Sequence, residues 1–328
     1  MKANAKFINT ERIEGYVYST GSNFNQLSER VAGEKSKNPG SKYIAGDLNI
    51  AVDEQGLNVI TIHYRYISPF IKGGQPSSTY AALKKIIDNP ERTWVNGGKD
   101  NAFKVRCTGV AIALNDFIAG DGTKVAAIRN ENGFCSIINE LGSEAERNTF
   151  TADMLITKVT HIDADLEKNI AEDFTTVSGA IFGYNGPVLL PVSFVVRNEM
   201  GINYFENLDA TPSKPVFTKV WGRINCMTIK TEKTEESAFG EAAVQTYERK
   251  SREYVITGTA KVPYDFGDEE VLTAADVNKM TQDRQVKLAE VEKRYNERQV
   301  NKAAGGANFN AAAATKTAQA VPEGGFVF

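Results

Sequence analysis

At 328 residues with 41% hydrophobic content, the chain is long enough for two domains of ordinary size, each burying its own core. A formal net charge of −3 excludes a general polycation, so any binding of nucleic acid needs positive charge gathered locally. Cys107, Cys135 and Cys226 lie far apart, with no CxxC and no neighbouring His, which argues against a zinc site or a disulfide framework and fits a reducing, cytoplasmic compartment. The opening "MKANAKFINTERIEG" has no apolar h-region, and no run of about 18 apolar residues follows, so neither a secretion signal nor a membrane span is expected.

The first elements read as strands broken by glycine-rich turns: "RIEGYVYS" (12–19), "SKYIAGDLNIAV" (41–52) and "LNVITIHYRYI" (57–67), the last two forming a hairpin. "STYAALKKIID" (78–88) has helical spacing, with Ser77 or Ser78 as its cap and Asn89-Pro90 as its stop. "FKVRCTGVAIAL" (103–114) and "KVAAIR" (124–129) return to strand. Three strands, a helix and two strands is the order of the five-stranded oligonucleotide/oligosaccharide-binding (OB) barrel.

The second half repeats that order. Strand candidates at 154–162, 174–184 and 188–196 precede a short helix at 200–208, and strands at 216–230 and 252–262 follow. The predicted fold class is therefore mainly β with α: tandem OB-like five-stranded antiparallel barrels over 8–138 and 150–264, joined near the acidic stretch "NELGSEAERN" (139–148). A long helix is expected at 272–300, where Thr273 precedes Asp276 by three residues as in a capping box and the apolar stripe is thin. Residues 301–328 have too little bulky apolar content to fold and read as a flexible tail with an aromatic tip, Phe326-Val327-Phe328.

Functional candidates come from face alternation. In "FTKVWGRI" (217–224), Phe217, Lys219, Trp221 and Arg223 project to one side of a strand, a face too charged for a core and too aromatic for ordinary solvent. In the first half Arg12, Tyr16 and Tyr18 share one face, as do His63 and Arg65 on their own strand, and Lys104 and Arg106 oppose Phe103 and Val105. With the apolar sides turned inward, Tyr16, Tyr18, Arg65, Lys104 and Arg106 are expected outside. The loop at 68–80 offers Phe70 and Lys72, and the loop at 32–43 offers Lys35 and Lys37. Unpaired bases stacking on aromatics, with phosphates neutralised by cations, suit such a surface. Each position taken singly also fits ordinary packing or solvated surface, since aromatics favour strands.

Catalysis has little to rest on. His63 and His161 sit on separate strands without metal-ligand spacing, and the glycine pairs at 72–76 and 96–100 lack phosphate-loop spacing. No cofactor and no catalytic residue is expected, and "DFGDEE" (265–270) reads as an acidic turn rather than a metal site.

The strands "RIEGYVYS", "DLNIAVDEQGLNVITIHYRYI", "FTKVWGRI" and "ADMLITKV", together with a tail that closes on an aromatic, resemble the single-stranded DNA-binding proteins of tailed bacteriophages over roughly residues 10–262. That resemblance implies a non-enzymatic, sequence-tolerant protein that coats single-stranded DNA in replication or recombination, in the bacterial host cytoplasm, with room for an oligomer. It also implies that Phe326, Val327 and Phe328 recruit replication or recombination partners, although only Glu323 is acidic near an end that is densely acidic in the familiar tip. The rival reading is a virion structural or assembly protein using the same faces for protein contacts.

Overall fold

The computed structural model describes residues 7–21, 25–165, 170–183, 189–235, 243–269 and 271–305. The predicted tip at 326–328, and all of the tail from 306 onward, lie outside the described residues.

The first half contains β1 (Asn9–Ser19), β2 (Ser28–Val31), β3 (Lys42–Ala51), β4 (Val59–Ile67), α1 (Ser78–Asp88), α2 (Trp94–Gly97), β5 (Lys104–Leu114), β6 (Phe117–Ile118), β7 (Lys124–Val125), β8 (Ile128–Glu131) and β9 (Phe134–Ile138). Five of these close a ring, β1–β3–β4–β8–β5–β1, in which β4 and β8 run parallel and every other neighbour antiparallel. That is OB topology, with the helix between the third and fourth ring strands. Alternation sends Leu48, Ile50, Ile60, Ile62, Tyr64, Val105 and Cys107 into the interior, and Leu83 and Ile86 of α1 close one end. The α1 cap is the predicted one, since Ser77 Oγ accepts from the Tyr80 N–H at 3.2 Å. Two glycines shape the ring. A Cβ on Gly15 would lie 2.1 Å from the Ala51 carbonyl, so only glycine lets β1 and β3 approach this closely, and Gly109, at φ 64°, forms a bulge that changes which residues of β5 face inward.

The second half repeats the ring with β10 (Asn148–Ile162), β11 (Phe174–Phe182), β12 (Leu189–Val196), α3 (Glu199–Glu206), β13 (Val216–Glu235) and β14 (Ala243–Thr259). Its closure is β10–β11–β12–β14–β13–β10, with β12 and β14 parallel through the Val195–Val255 pair. Phe150, Phe194 and Tyr254 pack ring to ring in its core at 5.1 to 5.3 Å.

The two barrels share backbone. β1 pairs with β10 from Asn9–Ala152 to Ile13–Asn148, so the sheet continues from one ring into the other. The acidic stretch expected to join them is clamped to the first barrel: Arg147 pairs with Glu54 at 2.7 Å, and the Glu14 N–H donates to the Arg147 carbonyl at 2.6 Å. Between the barrels lies a polar cluster in which Glu11, Asn130 and Tyr254 are buried and Arg252 is exposed. The Tyr254 hydroxyl donates to Glu11 at 2.9 Å, Asn130 lies 2.8 Å from that hydroxyl, and Arg252 reaches Tyr254 at 2.6 Å and the Ile128 carbonyl at 3.2 Å. Burial pushes the Glu11 carboxyl up to about 7, against the pull of Arg252 and of the Tyr254 hydrogen bond.

After β14 the chain folds back over the outside of the second barrel, where Phe7, Phe182, Phe217, Tyr264, Leu272 and Met280 form a second apolar cluster. It leads into α4 (Ala274–Gly305), none of whose described residues makes a span long and apolar enough to cross a membrane. The expected capping box is present: the Thr273 N–H donates to Asp276 at 3.1 Å, and the Asp276 N–H donates to Thr273 Oγ1 at 3.2 Å. Thr273→Ala should lower the stability of this helix by about 1 kcal/mol, read as a loss of helical circular dichroism at lower urea than in the parent.

Several strands differ from expectation. The run expected at 124–129 divides into β7 and β8. β13 and β14 continue past the predicted limits as a two-stranded arm paired as far as Glu235–Ala243. Cys107 and Cys135, distant in sequence, are register partners on β5 and β9, buried and free.

Candidate nucleic-acid interface

Because β1 lies between β5 and β10, outward residues from both barrels fall on common rows. One row runs Phe134–Thr108–Arg12–Thr149–Arg223 across β9, β5, β1, β10 and β13. Beside it, Thr10, Thr151, Trp221 and Gly258 align, followed by Asp153 with Lys219. On the other side Glu14, Arg106 and Ser136 align, then Tyr16, Lys104 and Ile138. The register thus brings together Arg12, Lys104, Arg106, Lys219, Trp221 and Arg223, candidates drawn from both halves of the sequence. Two strand spacings, about 10 Å, separate the backbones of Arg12 and Arg223.

The carboxylates on this face are buried and occupied. Glu14 accepts from Arg106 Nε at 2.6 Å, from Arg12 at 3.0 Å and from the Gly142 N–H. Burial opposes its ionisation, but those donors outweigh burial and hold the carboxyl at about 2, so it anchors two guanidiniums in fixed positions. Asp153 accepts from the Ile8 N–H at 2.6 Å and the Tyr264 hydroxyl at 2.9 Å, and burial pushes its carboxyl up. The face left to solvent is positive.

Trp221 is 40% exposed and lies flat over Gly258, where a Cβ would come within 2.4 Å of the indole nitrogen. Gly258→Ala must lift the ring. In a Trp94→Phe background this predicts a red-shifted Trp221 emission, whereas an unmoved spectrum would show that the indole does not rest on that backbone.

Two predicted residues are corrected. Tyr16 is only 8% exposed, because the Trp94 ring meets it edge-on at 5.5 Å and its hydroxyl donates to Glu54 at 3.1 Å. Phe217 is 2% exposed on the expected side of β13, covered there by Phe7, Phe182 and Tyr264. Alternation fixes the side of a sheet, not what later covers it. Tyr18 keeps partial exposure, 6.1 Å from Trp94. Lys99, itself paired with Glu54 at 3.1 Å, and Lys104 stand over the Tyr16 ring at 5.8 and 5.9 Å.

Other candidates stand apart from these rows. Lys35, Lys37, Phe70 and Lys72 are exposed on the 32–41 and 68–77 loops, and Arg65 pairs with Glu131 on β4 and β8. Among the described residues one group has metal-ligand proximity: His161, Asp163 and Asp173, all exposed, with His161 Nδ1 at 2.7 Å from Glu206.

Residues 23–302 match the family model described as YorF. The chain belongs to the YorF family. This YorF-family chain matches no curated protein in sequence. It is 10% identical to a deletion mutant of the single-stranded DNA binding protein from Thermus aquaticus, over 80% of this chain and 98% of that one, with a TM-score of 0.45. It is 13% identical to a chain of a replication protein A heterotrimer bound to ssDNA, over 79% of this chain and 66% of that one, with a TM-score of 0.16.

Sequence reasoning missed two aromatic residues at the edges of the YorF-family chain's shared face. Trp94 sits on the single-turn α2, between the helix expected at 78–88 and the strand expected at 103–114, and Phe134 begins β9 immediately after Gly133. Phe134 is 66% exposed. The signal available for it was the pair Asn132-Gly133, at φ 55° and 97°, a turn signature for a hairpin immediately before an aromatic.

Proposed function

We propose that the chain is a non-enzymatic, sequence-tolerant single-stranded DNA-binding protein, whose two barrels hold one strand along their shared outer face. The observation that carries this reading is the register-aligned row linking Arg12 to Arg223, with Lys104, Arg106 and Lys219 on adjoining rows and the partly exposed Trp221 between them. Fixed guanidiniums suit phosphates, and an indole resting flat on a sheet offers a base a stacking surface without sequence preference. The biological setting is coating of exposed strands in replication or recombination; a bacteriophage source and recruitment of other replication proteins belong to the same proposal.

Fluorescence anisotropy with labelled oligo-dT, against a duplex control at low and high salt, tests it. The expected result is tight binding to the single strand that weakens steeply with salt. Absence of binding at low salt would sink the reading, and self-association insensitive to salt would favour the assembly-protein rival.

A further inference from the structure

Helix α4 crosses the first barrel and encloses a groove of 1110 Å³ against it. The barrel side is floored by Gly109, Ala111 and Ala113 of β5, whose small side chains leave the space open. Arg65 and Arg129 stand at its wall, both paired to the nearly buried Glu131. On the facing wall Lys287, Arg294 and Arg298 line the groove at helical spacings that put them on one side of α4. Phe134 belongs both to this groove and to the row containing Arg12 and Arg223, so the two surfaces meet at one exposed ring.

The helix is held unevenly. Near its start Met280 is buried in the second apolar cluster, and Arg284 pairs with Asp116 at 3.2 Å, the two side chains only 12% and 9% exposed. Farther along, the ties are the exposed Lys124–Glu292 pair at 2.9 Å and the Tyr295 hydroxyl donating to the Gly120 carbonyl at 3.4 Å. Exposed pairs of this kind stabilise by about 0–1 kcal/mol. The start of the helix is thus held by buried contacts and its distal half by exposed ones.

We infer that the single strand continues from the shared sheet face past Phe134 and runs beneath the distal half of α4, between Arg65 and Arg129 on one side and Lys287, Arg294 and Arg298 on the other. The inference rests on the proposed single-stranded DNA binding and extends it: α4 forms one wall of the path and closes over the strand. An anionic polymer fits this space because cations line both walls: of the three carboxylates that line it, Asp116 and Glu131 are engaged by arginines, and Glu290 stands among Lys287, Arg294 and Arg298 on the α4 wall, where the cations outnumber it.

The test is the full-length chain carrying Lys287→Ala, Arg294→Ala and Arg298→Ala, titrated with labelled oligo-dT beside the parent and the Arg12→Ala/Arg223→Ala variant. Alanine favours helix, so α4 should persist, with circular dichroism as the check. The expected result is at least a tenfold loss of affinity and a salt slope shallower by about 2, from three lost phosphate contacts at about 0.7 each. Arg294→Lys/Arg298→Lys should keep the parent's slope, since the charges remain. Parent-like affinity and slope in the triple variant, with Arg12→Ala/Arg223→Ala impaired, would overturn the path beneath α4 and leave the function standing. A parent that fails to bind oligo-dT would overturn both.

Discussion

Arg12→Ala/Arg223→Ala is expected to bind oligo-dT on the order of 100-fold more weakly than the parent, because each lost charge-assisted contact removes about 1.5 kcal/mol. The slope of log K against log salt should become shallower by about 1.4, two phosphates at about 0.7 each. Stability should change little. Glu14 keeps Arg106 and the Gly142 N–H when Arg12 is removed, so no buried carboxylate is left bare, and Arg223 is exposed on β13. A urea melt run alongside separates lost binding from lost folding. Affinity within twofold of the parent, on a folded protein, would remove the shared face from the site and return attention to the loops carrying Lys35, Lys37, Phe70 and Lys72.

The second result concerns pH. Glu11 sits between the barrels with its carboxyl pushed up from 4.5 to about 7 by burial. A carboxyl whose folded-state pKa exceeds its unfolded value binds its proton more tightly when folded. Its stabilising contribution is therefore complete below about 4.5 and is lost as pH rises through about 7. A rise of that size corresponds to about 3 kcal/mol. Glu11→Gln, which stays neutral, should therefore lack this loss. Its urea midpoint relative to the parent should increase between pH 5 and pH 8.5, and since every other titrating group is common to the two proteins, the difference isolates Glu11. Parallel pH profiles would show that Glu11 ionises in the folded protein as easily as in the unfolded chain, with Arg252 compensating fully.

Much of the architecture could be read in advance because alternation and turn chemistry agree with it. Ile60, Ile62 and Tyr64 face inward as their spacing requires, and α1 covers the predicted 78–88 under its Ser77 cap. The α4 capping box was legible for the same reason, being a contact between residues three apart. What sequence could not supply was long-range covering. Tyr16 has the right alternation for an outward stacking ring, but Trp94 and Glu54, distant in sequence, close over it. Phe217 was placed on the correct side of β13, and the returning segment at Tyr264 hides it. The joining of the two candidate patches was equally illegible, since it depends on β1 pairing with β10 across some 140 residues of chain.

That pairing turns the spacing of the two patches into a matter of register. In a protein whose modules hang on a tether, lengthening the tether changes how far apart the modules reach. Here, residues inserted in the 139–147 stretch would bulge outward and leave Arg12 opposite Thr149. Only a slip of the β1–β10 or the β10–β13 ladder could move Arg12 relative to Arg223. An even slip preserves facing but shifts the cations along the sheet by about two residues' rise, and an odd one turns Arg12 into the core. The length of strand these barrels can grip together is therefore resistant to insertion and deletion in the connecting segment, and changes only in steps set by the β repeat.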